Sequence, residues 1–482
     1  MSGQISSKKT EREFKMAKEK SQAALLKEKL FYKKVNASKK MSDEQIKSAD
    51  EFCENYKIYL DKGKTEREAC SESIEMAIAA GFKEFKIDTK YNPGDKIYCV
   101  NRKKSIILAI IGNESISKGV KMAAAHIDSP RLDLKQNPLY ESEEMALFKT
   151  HYYGGIKKYQ WTVIPLALHG VIFDKDGKEI TVNIGEDDND PIFCVSDLLP
   201  HLAQDQSKRS LPEGIKGEEL NIIVGSRCFK DDEASETVKL NILNILFEKY
   251  GITEADFLSA ELEAVPNYKA KDVGFDRSLI GAYGQDDRVC AYTALKAILD
   301  FDGIPESTIV TVLTDKEETG SDGNTGLKSA YLSYFIADLA KPYGVEGRTV
   351  LSNSECLSAD VNAGFDPTFP DVMEKKNAAF LNYGVVVTKF TGARGKSGTS
   401  DASAEFISKV RNVLNKHDVI WQTAELGKVD LGGGGTVAAY IANLNVDVVD
   451  LGVGVLSMHA PLEITSKLDV YMIYKAFEAF FK

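Results

Sequence analysis

Five short stretches of the chain place an imidazole or carboxylates at the end of an apolar run or the start of a helix. They contain His126, Asp286, the pair Glu317–Glu318, Asp360 and His459. Two imidazoles and several carboxylates form a nitrogen and oxygen ligand set that suits zinc, cobalt or manganese. The chemistry that this set predicts is metal-assisted hydrolysis, in which a bound ion activates water.

The number of ligands fits two divalent ions. Asp286, Glu318 and Asp360 would bring three negative charges against four positive charges. One carboxylate would have to bridge ions about 3.5–4 Å apart. Glu317 would then be left without a metal, as a general base beside the ligands. The adjacent glutamates in TDKEETG therefore predict that one glutamate binds metal and its neighbour moves protons.

Each of these residues also has an ordinary structural explanation. Asp286 and Asp287 would suit the N-terminus of a helix because of its macrodipole. A pair of glutamates in a loop is commonly only solvated, and His459 beside Met458 would also fit a hydrogen-bonded core histidine. It is their joint placement at the ends of predicted strands that favours a metal site.

The elements that would position these residues alternate between strands and helices. The runs KMAAAHIDS, STIVTVLT and GRTVLSNSECLSAD predict strands, whereas DDRVCAYTALKAIL, SDASAEFISKVRNVLNKH and LDVYMIYKAFEAFF have helical spacing. This alternation predicts an α/β fold with a mixed, largely parallel sheet sandwiched by helices. Sites in such sheets form at the carboxyl ends of strands, where the candidates lie. Two earlier helices begin with capping boxes, Ser42 to Gln45 and Thr65 to Glu68.

The sequence also predicts how the chain is divided into domains. Residues 1–40 carry twelve Lys and Arg against four Glu and predict a basic N-terminal arm. Residues 41–135 and 275–482 would form the catalytic domain. Residues 136–274 contain YQWTVIPLALHGVIF and KEITVNIG joined across DKDG. They predict an inserted, mostly β domain that serves as a dimerisation module or lid.

Composition and charge argue against several classes of protein. The net charge is −11 despite the basic arm, which disfavours nucleic acid as a partner. No run approaches the roughly eighteen apolar residues of a membrane span, and the first residues lack the features of a signal peptide. The seven cysteines are scattered, which predicts neither a disulfide framework nor a thiolate zinc site and favours a cytoplasmic protein.

The order of the motifs resembles that of a known enzyme family. AAHIDSPRLDLK, YGG, PHLA, QDDR, DKEETGS, LSADV, GGGGT and SMHAPLE are similar to motifs of the aspartyl aminopeptidase family, metallopeptidase family eighteen of clan MH. The resemblance runs from about residue 85 to the C-terminus. It implies a zinc-peptidase-like catalytic domain, two divalent ions that are zinc or else cobalt or manganese, and a dodecamer built of dimers.

The resemblance also implies roles for individual residues. One metal would be bound by His126, Asp286 and Asp360, and the other by Asp286, Glu318 and His459, with Asp286 bridging. Glu317 would be the general base, and Asp128 would fix the tautomer of His126. His201, in PHLA, matches a histidine that reaches the active site of a neighbouring subunit. Lys396, in RGKSG, corresponds to a lysine that contacts substrate.

We therefore expect an aminopeptidase that removes N-terminal residues, with Asp and Glu as candidates, from peptides. Asp287 stands where relatives of the animal enzymes have asparagine, and the motif around Lys396 also differs, so the preferred residue stays open. A metal-dependent carboxypeptidase or amide deacylase is the alternative, because Lys396 or Arg394 would receive a substrate carboxylate. A non-catalytic assembly or cargo protein is a further alternative, and it would have no need of Glu317.

Overall fold

The chain divides into two compact units, with the boundary after Val35. The computed structural model describes residues 21–230 and 235–482. In the first unit, the described part holds the helix Gln22–Leu30, whose N-terminus is capped by Ser21. Half of the predicted basic arm, residues 1–20, lies outside the described residues.

The second unit is built on a nine-stranded mixed sheet. Its strands, in spatial order, are Lys83–Glu84, Lys96–Asn101, Ser105–Ile110, Ile309–Thr314, Lys121–His126, Glu355–Ala359, Asp447–Gly452, Val385–Thr388 and Trp421–Thr423. Five of the eight strand pairings are parallel. The predicted mixed, largely parallel sheet is therefore confirmed.

Apolar residues on both faces of this sheet pack against helices. Along one strand, Ile106 and Leu108 belong to one buried cluster and Ile107 and Ala109 to another. Because successive side chains of a strand point to opposite faces, the two clusters lie on the two sides of the sheet. The helices of this unit are Asp43–Lys62, Glu66–Ala79, Leu211–Gly214, Thr237–Tyr250, Gln285–Leu299, Tyr331–Ala340, Gly347–Ser352, Ala404–Lys416, Ala438–Ala442 and Lys467–Phe481.

Local sequence signals were correct at helix starts and wrong at one strand. Both predicted capping boxes form. The stretch GRTVLS, predicted to be part of a strand, is instead the helix Gly347–Ser352. A short apolar run does not distinguish the two structures. Packing decides here, because Gly347 lies so close to Ala337 that a Cβ would come within 2.7 Å of the Ala337 Cα.

A second sheet has seven strands, all paired antiparallel. In spatial order they are Glu179–Ile184, Leu166–Phe173, Ala260–Pro266, Arg131–Ser142, Met145–Tyr153, Ile222–Gly225 and Cys194–Val195. The predicted hairpin forms, with Phe173 paired to Glu179 across DKDG. The sheet runs from Arg131 to Pro266, close to the predicted insertion 136–274, whose role as a dimerisation module or lid stays a prediction.

A third sheet has five strands, drawn from three separate parts of the chain. In spatial order its strands are Lys271–Val273, Leu279–Ala282, Glu463–Ser466, Gly454–Leu456 and Asn362–Ala363. His459 lies in the turn between two of these strands, and Glu463 opens the second of them. In the part of the chain that the structure describes, no helix combines the length and the apolar character needed to span a membrane.

Candidate metal and active site

The carboxyl edge of the nine-stranded sheet brings the predicted residues together. His126 ends its strand, and Glu317 and Asp360 come shortly after the two strands that flank it. All three strands are parallel, so their carboxyl ends meet at one edge. Asp286 lies at the start of the helix Gln285–Leu299, and its non-helical backbone (φ −81°, ψ 106°) precedes the regular turns.

One carboxylate lies between the two imidazoles. Oδ1 of Asp286 is 3.2 Å from Nε2 of His126, and Oδ2 of the same carboxylate is 3.2 Å from Nε2 of His459. Two nitrogens face two oxygens of a single buried aspartate. This geometry is the one expected of a carboxylate that bridges two ions.

Further carboxylates flank each ring. Nε2 of His126 is 3.9 Å from Oε2 of Glu317 and 3.9 Å from Oδ1 of Asp360. Nε2 of His459 is 3.5 Å from Oε2 of Glu318. The six residues proposed as metal ligands or base thus form one continuous cluster.

Asp287 adds a carboxylate that the sequence did not predict as a ligand. Among the described residues, three groups have ligand atoms within 4.8 Å of one another: His126 with Asp287 and Asp360, Asp286 with Glu318 and His459, and His126 with Glu317 and Glu318. The second group is one of the two predicted ligand sets. The third shows that distances alone do not decide which glutamate would bind metal and which would move protons.

The electrostatics of the cluster are those of buried like charges. Burial raises the pKa of Glu317 to about 7, and burial also raises the pKa values of Glu318 and Asp360 well above their usual range. Burial would raise the pKa of Asp286 too, but its contacts with both imidazoles outweigh burial and lower it. Neighbouring buried carboxylates repel one another unless a cation lies between them.

Several polar atoms of the cluster are positioned for a metal ion. Among the described residues, Oε1 of Glu318 and Nε2 of His126 are buried without a hydrogen-bond partner. Nδ1 of His126 is 3.0 Å from the carbonyl of Asp128, and Nδ1 of His459 is 2.8 Å from the carbonyl of Gly155. A carbonyl only accepts, so each Nδ1 donates and each Nε2 faces the carboxylates. The residues therefore fit a divalent ion such as zinc.

Asp128 lies beneath the cluster and is fully buried. Its Oδ1 accepts from the main-chain N–H of Glu317 at 3.1 Å and lies 3.3 Å from Nδ1 of His126. Its Oδ2 accepts from the N–H of Glu318 at 3.2 Å and from the hydroxyl of Tyr153 at 2.7 Å. A single carboxylate thus orients one imidazole and the backbone of both glutamates.

Glu463 supports the other half of the cluster, and sequence analysis missed it. Its carboxylate accepts from the main-chain N–H of Asp286 at 3.0 Å and from that of His459 at 2.7 Å. Burial raises the pKa of Glu463 to about 8. The motif SMHAPLE contains this residue, as YGG contains Tyr153, but neither sequence pattern indicated what the side chain contacts.

A cavity of about 230 Å³ opens onto the cluster. Asp286, Glu317, Asp360 and His459 line it together with residues 433–435 of the glycine-rich run. The cavity therefore gives a small molecule access to His459 and to the carboxylates that lie beside the buried His126.

The structure does not bring Lys396 or His201 to the cluster. Lys396 is exposed, donates to Asp401 at 2.8 Å and lies 3.7 Å from the ring centroid of Phe390. It lines an adjacent cavity that also contains Arg394. His201 is exposed in a loop of the same chain, which leaves its predicted role in a neighbouring subunit as a prediction.

Comparisons with known proteins give a consistent assignment. The family model described as Aminopeptidase I zinc metalloprotease (M18) matches residues 59–481. The "Probable M18 family aminopeptidase 1" of Clostridium acetobutylicum is 50% identical over 454 residues, which are 92% of this chain and 97% of that protein.

Comparisons with solved structures give the same assignment. The crystal structure of an M18 family aminopeptidase from Thermotoga maritima has a TM-score of 0.89 at 45% identity, covering 94% of this chain and 100% of that one. A structure of the S. cerevisiae mApe1 dodecamer has a TM-score of 0.72 at 20% identity, covering 89% and 96% of the two chains, and shows a shared fold. Because the family match extends through both large sheets and every residue of the cluster, this chain belongs to the M18 family of zinc aminopeptidases.

Proposed function

We propose that the chain is a dinuclear aminopeptidase in which Asp286 bridges two divalent ions. The observation that carries this proposal is the equal 3.2 Å separation between each oxygen of Asp286 and a different imidazole. Asp360 would complete the set around His126, and Glu318 would complete the set around His459. Zinc is the ion that the family implies, with cobalt or manganese as alternatives.

Two bound ions would polarise the scissile carbonyl and lower the pKa of a water molecule. Glu317 accepts the proton of the attacking water and later delivers it to the leaving amine. Burial raises the pKa of Glu317 above its usual range in the metal-free cluster, which favours a carboxyl that both accepts and releases a proton. Asp128 holds the main-chain N–H of Glu317 and so orients this carboxyl toward the cavity.

The site favours the N-terminal residue of a peptide as substrate. The cavity of about 230 Å³ is smaller than the roughly 300–1,000 Å³ of most ligand pockets, which suits one terminal residue. The carboxylates of Asp286, Glu317 and Asp360 line it, and the free α-amino group of the substrate would be held by a metal ion or by these carboxylates. Preference for Asp or Glu would require Lys396 to leave Asp401 and bind the substrate carboxylate.

The protein would act as a homo-oligomer in which His201 completes the site of another copy. The loop around His201 exposes three apolar side chains, Leu198, Leu199 and Leu202, to 52%, 50% and 69%. Apolar groups clustered at a histidine suit contact with a second copy. The seven-stranded sheet would be the dimerisation module, and a dodecamer built of dimers is the assembly that we propose. A cytoplasmic location agrees with the seven free cysteines.

Substrate panels with blocked ends test this function. The purified chain, loaded with zinc or cobalt, is assayed on peptides that begin with Asp, Glu, Leu, Met or Lys, and on the same peptides acetylated at the N-terminus. We expect two metal ions per chain, hydrolysis that a chelator abolishes, and no cleavage of acetylated peptides. Cleavage of acetylated peptides would favour the carboxypeptidase or deacylase. Complete inactivity of the metal-loaded oligomer would favour the assembly or cargo protein.

A further inference from the structure

The segment Tyr153-Gly154-Gly155 reaches the cluster from the seven-stranded sheet. Tyr153 is the last residue of the strand Met145–Tyr153. Its hydroxyl donates to Asp128, beneath His126, and the carbonyl of Gly155 accepts from Nδ1 of His459. The end of this strand and the bend that follows it therefore contact the support of one imidazole and the other imidazole directly.

The hydroxyl of Tyr153 supplies the Asp128 carboxylate with its shortest hydrogen bond, 2.7 Å. The phenol ring is held in place because the guanidinium of Arg131 lies 4.0 Å from its centroid. Arg131 is buried and is itself fixed by Glu66 and Glu263, each at 3.1 Å. The fold therefore already holds the Tyr153 hydroxyl in one orientation. The conformational entropy lost in ordering it is part of the cost of folding.

The carbonyl of Gly155 determines which nitrogen of His459 is free. Because a carbonyl has no proton to donate, the 2.8 Å contact places the proton on Nδ1. Nε2 is then left as the nitrogen that faces Asp286 and Glu318. A metal-binding histidine needs this arrangement, with its second ring nitrogen donating to a fixed acceptor.

Gly154 lets the segment pass this close. It has φ of +74°, and a Cβ there would lie 3.2 Å from Oε2 of Glu318 and 3.2 Å from Pro130. A residue without a side chain both adopts this conformation and leaves space for the Glu318 carboxylate.

We propose that Tyr153-Gly154-Gly155 is a positioning element, through which the seven-stranded sheet fixes the orientation of His126, by way of Asp128, and the tautomer of His459. This proposal rests on the proposed function, since it assumes that both imidazoles bind metal. It gives the seven-stranded sheet a part in metal binding within its own chain, separate from any role in assembly.

The first experiment compares metal affinity in Tyr153→Phe and Tyr331→Phe. The Tyr331 hydroxyl also donates to a protein acceptor, the Cys99 carbonyl at 2.6 Å, but it is not part of the cluster, so this variant controls for loss of one tyrosine hydrogen bond. We expect competition with a chelator to show zinc binding weakened about 10–100-fold in Tyr153→Phe, and the visible absorption of the cobalt-loaded protein to shift. Tyr331→Phe should retain both properties. Unchanged affinity and an unchanged cobalt spectrum in Tyr153→Phe would overturn the role of the hydroxyl.

The second experiment does not depend on whether Tyr153→Phe folds. Solid-state ¹⁵N NMR of the zinc-loaded, histidine-labelled chain should show Nδ1 of His459 carrying a proton, with the signal assigned by its loss in His459→Gln. A proton on Nε2 of His459 would overturn the role of Gly155 while zinc binding itself remained. Failure of the unsubstituted chain to bind zinc would instead refute the proposed function, and the positioning role with it.

Discussion

Exchanging the adjacent glutamates one at a time tests the division of roles between them. Glu317→Gln keeps the size of the side chain and removes its ability to accept a proton. Loss of a general base costs about 10²–10⁴-fold in rate, which is about 3–5 kcal/mol of transition-state stabilisation. The Asp128 hydrogen bond to the main-chain N–H of residue 317 is preserved, so the fold and metal content should remain. We expect kcat to fall by this factor with two ions still bound.

Glu318→Gln is the matched variant. In the unsubstituted chain, Oε2 of Glu318 lies 3.5 Å from Nε2 of His459, and Oε1 of Glu318 is buried without a hydrogen-bond partner among the described residues. We therefore expect Glu318→Gln to lose metal, measured by elemental analysis after gel filtration, and to recover part of its activity at high zinc concentration. If Glu317→Gln retained activity, or if it lost metal while Glu318→Gln kept it, the assignment of base and ligand would be wrong.

Three further predictions follow from the same geometry. Because carboxylates must lose their protons before an ion can bind, and burial raises the pKa of Glu317 to about 7 and those of Glu318 and Asp360 well above their usual range in the metal-free cluster, zinc affinity should fall as pH drops below 7, and an affinity unchanged from pH 5 to 8 would contradict this. Removal of metal by a chelator should lower Tm and abolish activity, and added zinc should restore both. The reason for the change in Tm is that an ion at about 100 times its Kd adds about 2.7 kcal/mol to the free energy of unfolding. An unchanged Tm would count against a metal within the cluster. Co-expression of Glu317→Gln with His201→Ala should give mixed oligomers more active than either variant alone, and no gain would refute the role of His201 in another subunit.

Much of the site could be predicted because its residues follow local patterns. His126 ends an apolar strand, Glu317 and Glu318 follow another, and Asp360 follows a third. Residue type alone indicated a nitrogen and oxygen ligand set. The capping boxes at Ser42 and Thr65 likewise depend on residues three apart, so they are visible in the sequence.

Predictions from short-range patterns failed where packing between separate elements determines the local structure. The run GRTVLS had the apolar content of a strand, but its close contact with the helix Tyr331–Ala340 made it helical. This contact lies outside the window of a few residues that a local pattern covers. The expected contact of Lys396 with substrate stays a prediction.

The sequence by itself determined which residues were available for chemistry, the strands and helices that carry most of them, and the type of ion they suit. Only the tertiary structure decided that the two oxygens of Asp286 face His126 and His459, residues separated by hundreds of positions. It also decided that Tyr153 and Glu463 support them from two other sheets. The physical reason is that a hydrogen bond requires an alignment of a few tenths of an ångström, and the order in which strands pair sets that alignment between distant segments.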